Sequence, residues 1–63
     1  MTKSELYDVA TQIAKSSKSE DEVRRRLTEA GFGGIIYITS RQLESKFEVM
    51  GTVLGPNGEI IGF

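Results

Sequence analysis

Hydrophobic residues recur at helical spacing from the first turn of the chain onward. Thr2 and Glu5 have the spacing of a capping box, in which a threonine caps the helix and a glutamate reaches back to it. The residues that follow on one face of this helix are Leu6, Val9, Ala10, Ile13 and Ala14. The pattern predicts an amphipathic helix that ends near Ser16, with Tyr7 beside the apolar stripe.

A second helix is predicted after a short serine-rich turn. Ser19 and Glu22 repeat the capping-box spacing, and a narrow apolar stripe follows at Val23, Leu27 and Ala30. Three consecutive acidic residues each precede an arginine by four positions, which predicts three ion pairs: Glu20 with Arg24, Asp21 with Arg25, and Glu22 with Arg26.

The second helix should end at a glycine. Gly31 suits the left-handed position just beyond a helix, and Phe32 would then fold back onto Leu27 in a Schellman arrangement. We expect Gly33 and Gly34 to form a corner. A β-branched and aromatic strand over Ile35–Thr39 follows, and then a loop from Ser40 to Ser45. That loop is too long to fix the register of the first strand.

The C-terminal part of the chain reads as one β-hairpin. The sequence Gly55-Pro56-Asn57-Gly58 is typical of a type I turn followed by a glycine bulge. Pairing of Gly55 with Glu59 then sets Leu54 opposite Ile60 and Val53 opposite Ile61. Gly51 would lie opposite Phe63, where a glycine leaves room for the ring or for the close approach of another backbone.

Strand alternation divides the hairpin into two faces. One face is apolar and predicted to be core: Phe47, Val49, Val53, Ile61 and Phe63. The other is half apolar: Lys46, Glu48, Met50, Thr52, Leu54 and Ile60. The first strand adds either Ile35 and Tyr37 or Ile36 and Ile38 to this second face.

These elements predict a single α+β domain over residues 1–63. Two N-terminal helices pack on one face of a three-stranded antiparallel meander, in the order ααβββ. Two helices cover only one face of such a sheet. The sequence therefore predicts an uncovered apolar face, which is unusual on a monomer.

Composition narrows the classes of function. With 63 residues and neither cysteine nor histidine, the domain has a small core and no disulfide or zinc to reinforce it, so oligomerisation is the remaining reinforcement. Eight basic and nine acidic side chains give a net charge of −1, which is not the charge of a general polyanion binder. No apolar run is long enough to span a bilayer and no signal peptide is visible, so we expect a soluble cytoplasmic protein without membrane contact.

The residue types in the sequence do not favour catalysis or metal binding. The chain has no histidine for acid–base work near neutral pH, no cysteine nucleophile and no serine in a nucleophile-elbow setting. The acidic residues 20–22 lack the alternating ligands and glycine of a calcium loop. We expect no enzyme activity, no metal and no cofactor.

Nucleic-acid binding is the alternative function. Two helices joined by a short turn resemble a helix-turn-helix, and the second carries Arg24, Arg25 and Arg26. Acidic residues occupy the N-terminal turn that would read bases, however, and the arginines have predicted acidic partners. Arg41 and Lys46 would be auxiliary phosphate contacts.

The function favoured by the sequence is a non-catalytic protein-interaction module. The sequence predicts that a small regulator, adaptor or inhibitor would bind a protein partner, or a second copy of itself, through the uncovered face and the edge of the last strand. The residues assigned to this surface are Tyr37, Met50, Leu54, Ile60 and Phe63.

Overall fold

The computed structural model describes residues 2–41 and 46–63, with Arg41 described by its backbone only. Helices α1 (Lys3–Ser16) and α2 (Glu20–Glu29) precede strands β1 (Gly33–Arg41), β2 (Lys46–Leu54) and β3 (Ile60–Gly62). The strands form one antiparallel sheet in the order β1-β2-β3. This architecture confirms the predicted ααβββ fold.

The predicted capping box at the start of α1 is present. The Thr2 hydroxyl accepts a hydrogen bond from the Glu5 N–H at 3.2 Å, and the Glu5 carboxylate accepts one from the Thr2 N–H at 3.2 Å. The bond from the Thr2 backbone, followed by that from the Thr2 hydroxyl, lowers the pKa of Glu5 below its ordinary value. The first helix therefore begins where its sequence places it.

The start of α2 keeps only half of its predicted capping box. Ser19 Oγ accepts from the Glu22 N–H at 3.1 Å, as expected. The Glu22 carboxylate, however, accepts from the Lys18 N–H at 2.8 Å, one residue before the cap. The glutamate thus satisfies a backbone donor of the interhelical turn instead of the cap itself.

One of the three predicted ion pairs forms along α2. Arg24 and Glu20 lie 3.7 Å apart, whereas Asp21 and Arg25, both within the described residues, make no ion pair. The predicted pair of Glu22 with Arg26 is wrong, because Arg26 turns toward the end of α1. There its guanidinium donates to Ser16 Oγ at 2.9 Å, Ser17 Oγ at 3.1 Å and the Ile13 carbonyl at 3.4 Å. Carbonyl groups at a helix C-terminus attract a cation, which explains why Arg26 contacts the end of α1 instead of Glu22.

The end of α2 has the predicted Schellman geometry. The Phe32 N–H bonds the Leu27 carbonyl at 2.9 Å and the Gly31 N–H bonds the Thr28 carbonyl at 3.0 Å. Gly31 has a φ of 95°, the left-handed conformation that favours glycine. Phe32 is consequently buried against the core.

Strand β1 is longer than predicted at both ends. Gly33 and Gly34 pair with Leu54 and Val53, so the expected glycine corner is part of the strand. Ser40 and Arg41 are also paired, which contradicts the first two residues of the predicted loop; residues 42–45 of that loop lie outside the described residues. Pairing with the long β2 extends β1 beyond its β-branched segment.

The hairpin matches its predicted turn and register. The Gly58 N–H bonds the Gly55 carbonyl at 3.0 Å, and Gly58 has the left-handed φ of 83° that a glycine bulge requires. The Gly55 N–H bonds the Glu59 carbonyl at 2.8 Å. The pairs Val53–Ile61 and Leu54–Ile60 follow as expected.

The core lies between the two helices and one face of the sheet. The predicted core positions Val49, Val53 and Ile61 are buried there, and Phe47 and Phe63 are partly buried against them. The helices contribute Leu6, Ala10, Ala14, Val23 and Leu27. The predicted assignment of residues to the two faces of the hairpin is confirmed.

Candidate protein-interaction surface

The sheet face opposite the helices carries five large apolar side chains in contact with solvent. Their exposed fractions are 63% for Ile35, 61% for Tyr37, 47% for Met50, 39% for Leu54 and 62% for Ile60. We call these five residues the open face. Single exposed apolar residues are ordinary, but five on one face of a three-stranded sheet are a feature that requires an explanation.

Strand register places the members of the open face next to one another. Tyr37 lies directly opposite Met50, and Leu54 lies opposite Ile60 on one side and Gly33 on the other. Side chains on one face of paired strands are within contact distance of their neighbours. The structure thus brings together four of the five residues that the sequence assigned to the surface.

The register also settles which residues β1 adds to this face. Ile36 and Ile38 pack against the core, so Ile35 and Tyr37 point the other way. The sequence left these two pairs open because the loop before β2 does not define the pairing. Ile35 is therefore a surface residue that sequence reasoning did not assign.

The fifth predicted surface residue, Phe63, lies on the helix side of the sheet. Its ring stacks on that of Tyr7, with centroids 4.6 Å apart and planes inclined by 13°. Phe63 is two residues beyond buried Ile61, so strand alternation directs both toward α1. The structure does not bring Phe63 together with the open face.

The two edges of the sheet differ in how they are covered. β3 is only three residues long, whereas β1 presents a nine-residue outer edge. The Arg24 guanidinium donates to the Ile36 carbonyl at 3.3 Å, which places a cation from α2 on that outer edge. Charged side chains at an edge strand discourage pairing with another strand.

The basic residues proposed as nucleic-acid contacts do not form one cluster. Arg24 is bonded to Ile36 and Glu20, and Arg26 is bonded to the end of α1. Arg25 is exposed and is the member of the run without a described partner. Lys46 pairs with Arg41 at the far end of β1, five residues and roughly 16 Å from Ile36. The Arg41 side chain lies outside the described part.

A groove of about 250 Å³ lies between α1 and the sheet, on the side away from the open face. It is lined by Tyr7, Thr11, Ala14, Lys15, Phe47, Glu48, Val49 and Phe63. The sequence places Tyr7 beside the apolar stripe of its helix but gives no sign of a groove. The groove depends on how far apart the helix and the strand lie, which local patterns do not fix.

The described ranges contain no cluster suited to metal binding. Within residues 2–41 and 46–63, no group of three or more acidic, histidine or cysteine side chains converges on one point. No helix in the same ranges is long and apolar enough to cross a membrane.

Comparison with known proteins does not place the chain in a family. No protein-family model, no curated protein and no solved structure matches it.

Proposed function

We propose that this protein is a non-catalytic protein-interaction module that binds through the open face. The observation that carries the proposal is the exposure of Ile35, Tyr37, Met50, Leu54 and Ile60 on one side of the sheet. Covering such a face with another protein removes apolar area from water, at about 25 cal/mol for each Å² buried. Aromatic residues and methionine, here Tyr37 and Met50, are enriched in the centres of interfaces.

Charge supports a protein partner over a nucleic acid. By strand alternation, Lys46 is the basic residue that β2 directs to this side of the sheet, and it lies at the end of the strand. Tyr37 is the one aromatic side chain on the open face, and single-strand binding uses several such platforms. Arg24 and Arg26 are engaged within the molecule.

A small regulator, adaptor or inhibitor uses this kind of surface either for a partner or for a second copy of itself. We propose that either occupant can bind there, and that the edge of β3 extends the surface. We also propose a cytoplasmic location, since the sequence has no cysteine that would need an oxidising compartment.

Sedimentation velocity over a concentration series tests the proposal. Leu54→Glu and Ile60→Lys place charges on the open face, and Gln12→Glu on the exposed side of α1 is the control. If the protein self-associates, both open-face variants should become monomeric while the control behaves as wild type. If the protein is monomeric, a partner protein should be captured by the immobilised wild type and by the immobilised control. Neither open-face variant should capture that partner. Unchanged association and capture in folded open-face variants would refute the proposal.

The nucleic-acid alternative has a separate test. Binding to generic duplex or single-stranded DNA at low salt, with a salt dependence that weakens in the Arg24/Arg25/Arg26→Ala variant, would favour it. We expect no such binding, because two of these guanidinium groups already have intramolecular partners.

A further inference from the structure

Strand β3 covers only part of its neighbour. The pairs between β2 and β3 run from Thr52 with Gly62 to Leu54 with Ile60, and a last bond joins the Phe63 N–H to the Gly51 carbonyl at 3.0 Å. Before Gly51, β2 is paired with β1 on one side and with no described strand on the other. We call this side of β2, at Phe47 and Val49, the half-edge.

The half-edge presents backbone groups in strand geometry. In an antiparallel strand, alternate residues direct their N–H and C=O groups to the same side. The Gly51 carbonyl and the Gly55 N–H both bond toward β3, so Val49 and Phe47, two and four residues before Gly51, direct theirs to that side as well. No described backbone group bonds to either residue there. The half-edge therefore offers two donors and two acceptors to an incoming strand.

The groove adjoins these unpaired backbone groups. Val49 and Phe47 line it, and so do Tyr7, Phe63 and Lys15. A strand paired with Val49 and Phe47 would direct the side chains opposite them to the same side of the sheet, which is the groove side. At about 250 Å³ the groove is smaller than the roughly 300–1,000 Å³ of most small-molecule pockets. It suits side chains from a peptide better than a separate small molecule.

We propose that the half-edge is a second binding site, which takes an extended peptide segment of a partner protein. The segment continues the antiparallel pairing of β3 along β2, with main-chain bonds to Val49 and Phe47. An apolar side chain enters the groove beside Tyr7 and Phe63. This is binding by strand addition, in which the main chain supplies affinity and alternate side chains supply specificity.

Lys15 gives the site a charge preference, because Glu48, which also lines the groove, belongs by strand alternation to the opposite face of β2. It lines the groove from the last turn of α1, and its side chain is exposed. An acidic residue next to the buried apolar residue of the peptide would lie near this ammonium group. The peptide we expect therefore combines an apolar residue with a neighbouring carboxylate.

The half-edge and the open face are separate sites. The groove side chains lie under α1, whereas the open face points away from both helices. Binding at the half-edge therefore does not depend on binding at the open face, and a test of one site does not decide the other.

Selection from a display library of short random peptides tests the inference. Peptides are selected on wild-type protein and counter-selected on Thr11→Trp, which fills the groove; Gln12→Trp, on the exposed side of the same helix, is the control. We expect peptides with alternating apolar residues and an acidic neighbour. They should bind wild type and Gln12→Trp equally and Thr11→Trp at least about tenfold more weakly, a difference worth about 1.4 kcal/mol. Failure to obtain any peptide that distinguishes the two tryptophan variants would overturn the inference.

Amide exchange measured by NMR locates the selected peptides. At a free peptide concentration about ten times Kd, the exchange of the Val49 and Phe47 amides should slow about tenfold. Met50 and Thr52, whose amides already face β1, should change little. The same peptide with methylated backbone nitrogens should not bind, and Lys15→Glu should remove the preference for an acidic residue. Slowed exchange confined to the open face, or slowing at Val49 on raising the protein concentration without peptide, would overturn the assignment of a peptide to this site.

Discussion

Adjacent isoleucines on β3 provide a matched test of the two faces of the sheet. Ile60 is 62% exposed and Ile61 is 4% exposed, and both belong to the same short strand. Threonine keeps the β-branched shape and the strand preference of isoleucine, so the same substitution at each position differs mainly in burial.

The expected destabilisation follows from that burial. Ile61→Thr removes two buried carbon groups, worth about 0.8 kcal/mol each, and buries a hydroxyl at a cost of about 1–3 kcal/mol, for a total of roughly 2.5–4.5 kcal/mol. Ile60→Thr should cost only about 0.6 kcal/mol, because most of that side chain already contacts water. At roughly 0.05–0.15 kcal/mol per residue, the free energy of unfolding of a 63-residue domain is roughly 3–9 kcal/mol. Ile61→Thr therefore removes a large part of the stability.

Urea denaturation followed by circular dichroism measures both variants. The midpoint should fall strongly for Ile61→Thr and slightly for Ile60→Thr, with the slope unchanged. Because self-association through the open face would stabilise the fold, the comparison is repeated at several protein concentrations. Equal destabilisation of the two variants at the lowest concentration would show that the assignment of faces is wrong.

Three further predictions concern local features of the fold. Gly51→Ala should destabilise the fold by about 1–3 kcal/mol, because Gly51 has a φ of 100° and an added Cβ would lie 2.7 Å from the Ile35 carbonyl oxygen. At Gly62 an added Cβ would meet open space, so Gly62→Ala should change the stability to urea little. Arg26→Ala should lower urea stability by about 1–2 kcal/mol through its lost bonds to α1, with Arg25→Ala within about 0.5 kcal/mol of wild type. The pKa of Glu5 is lower in the folded protein than the unfolded pKa of 4.5, so the stabilising contribution of Glu5 is complete above pH 4.5 and is lost as the pH falls through the folded pKa. Glu5→Gln should weaken this acid dependence, which is measured as stability against pH.

Features set by neighbouring residues could be predicted from the sequence. The turn at Gly55–Gly58 fixes the register of β2 and β3, because the turn type and loop length determine which residues pair. The cap at Thr2 and the Schellman end at Gly31 likewise depend on groups within six residues of each other. Alternation then assigned Met50, Leu54 and Ile60 to the open face.

Features set by distant contacts could not be predicted in the same way. The pairing of β1 with β2 spans the loop before Lys46, so nothing local decided between Ile35 and Ile36 as the surface residue. Arg26 had an acidic residue at the helical spacing, yet the end of α1 lies close enough to take its guanidinium instead. The stacking of Tyr7 on Phe63 joins the two ends of the chain, and sequence spacing gives no measure of that distance.

This small sheet has two unfilled surfaces, which arise for different reasons. β2 has nine residues and is fully paired with β1, but β3 has three. The helices cover the sheet on one side only, which leaves the open face, and the short β3 leaves the half-edge beside the groove. These surfaces point in different directions, so a partner on one does not exclude a partner on the other. A protein that binds a second copy of itself through the open face would then carry two half-edges, and a partner with two suitable peptide segments would bind the dimer more tightly than the monomer if its linker spans both sites.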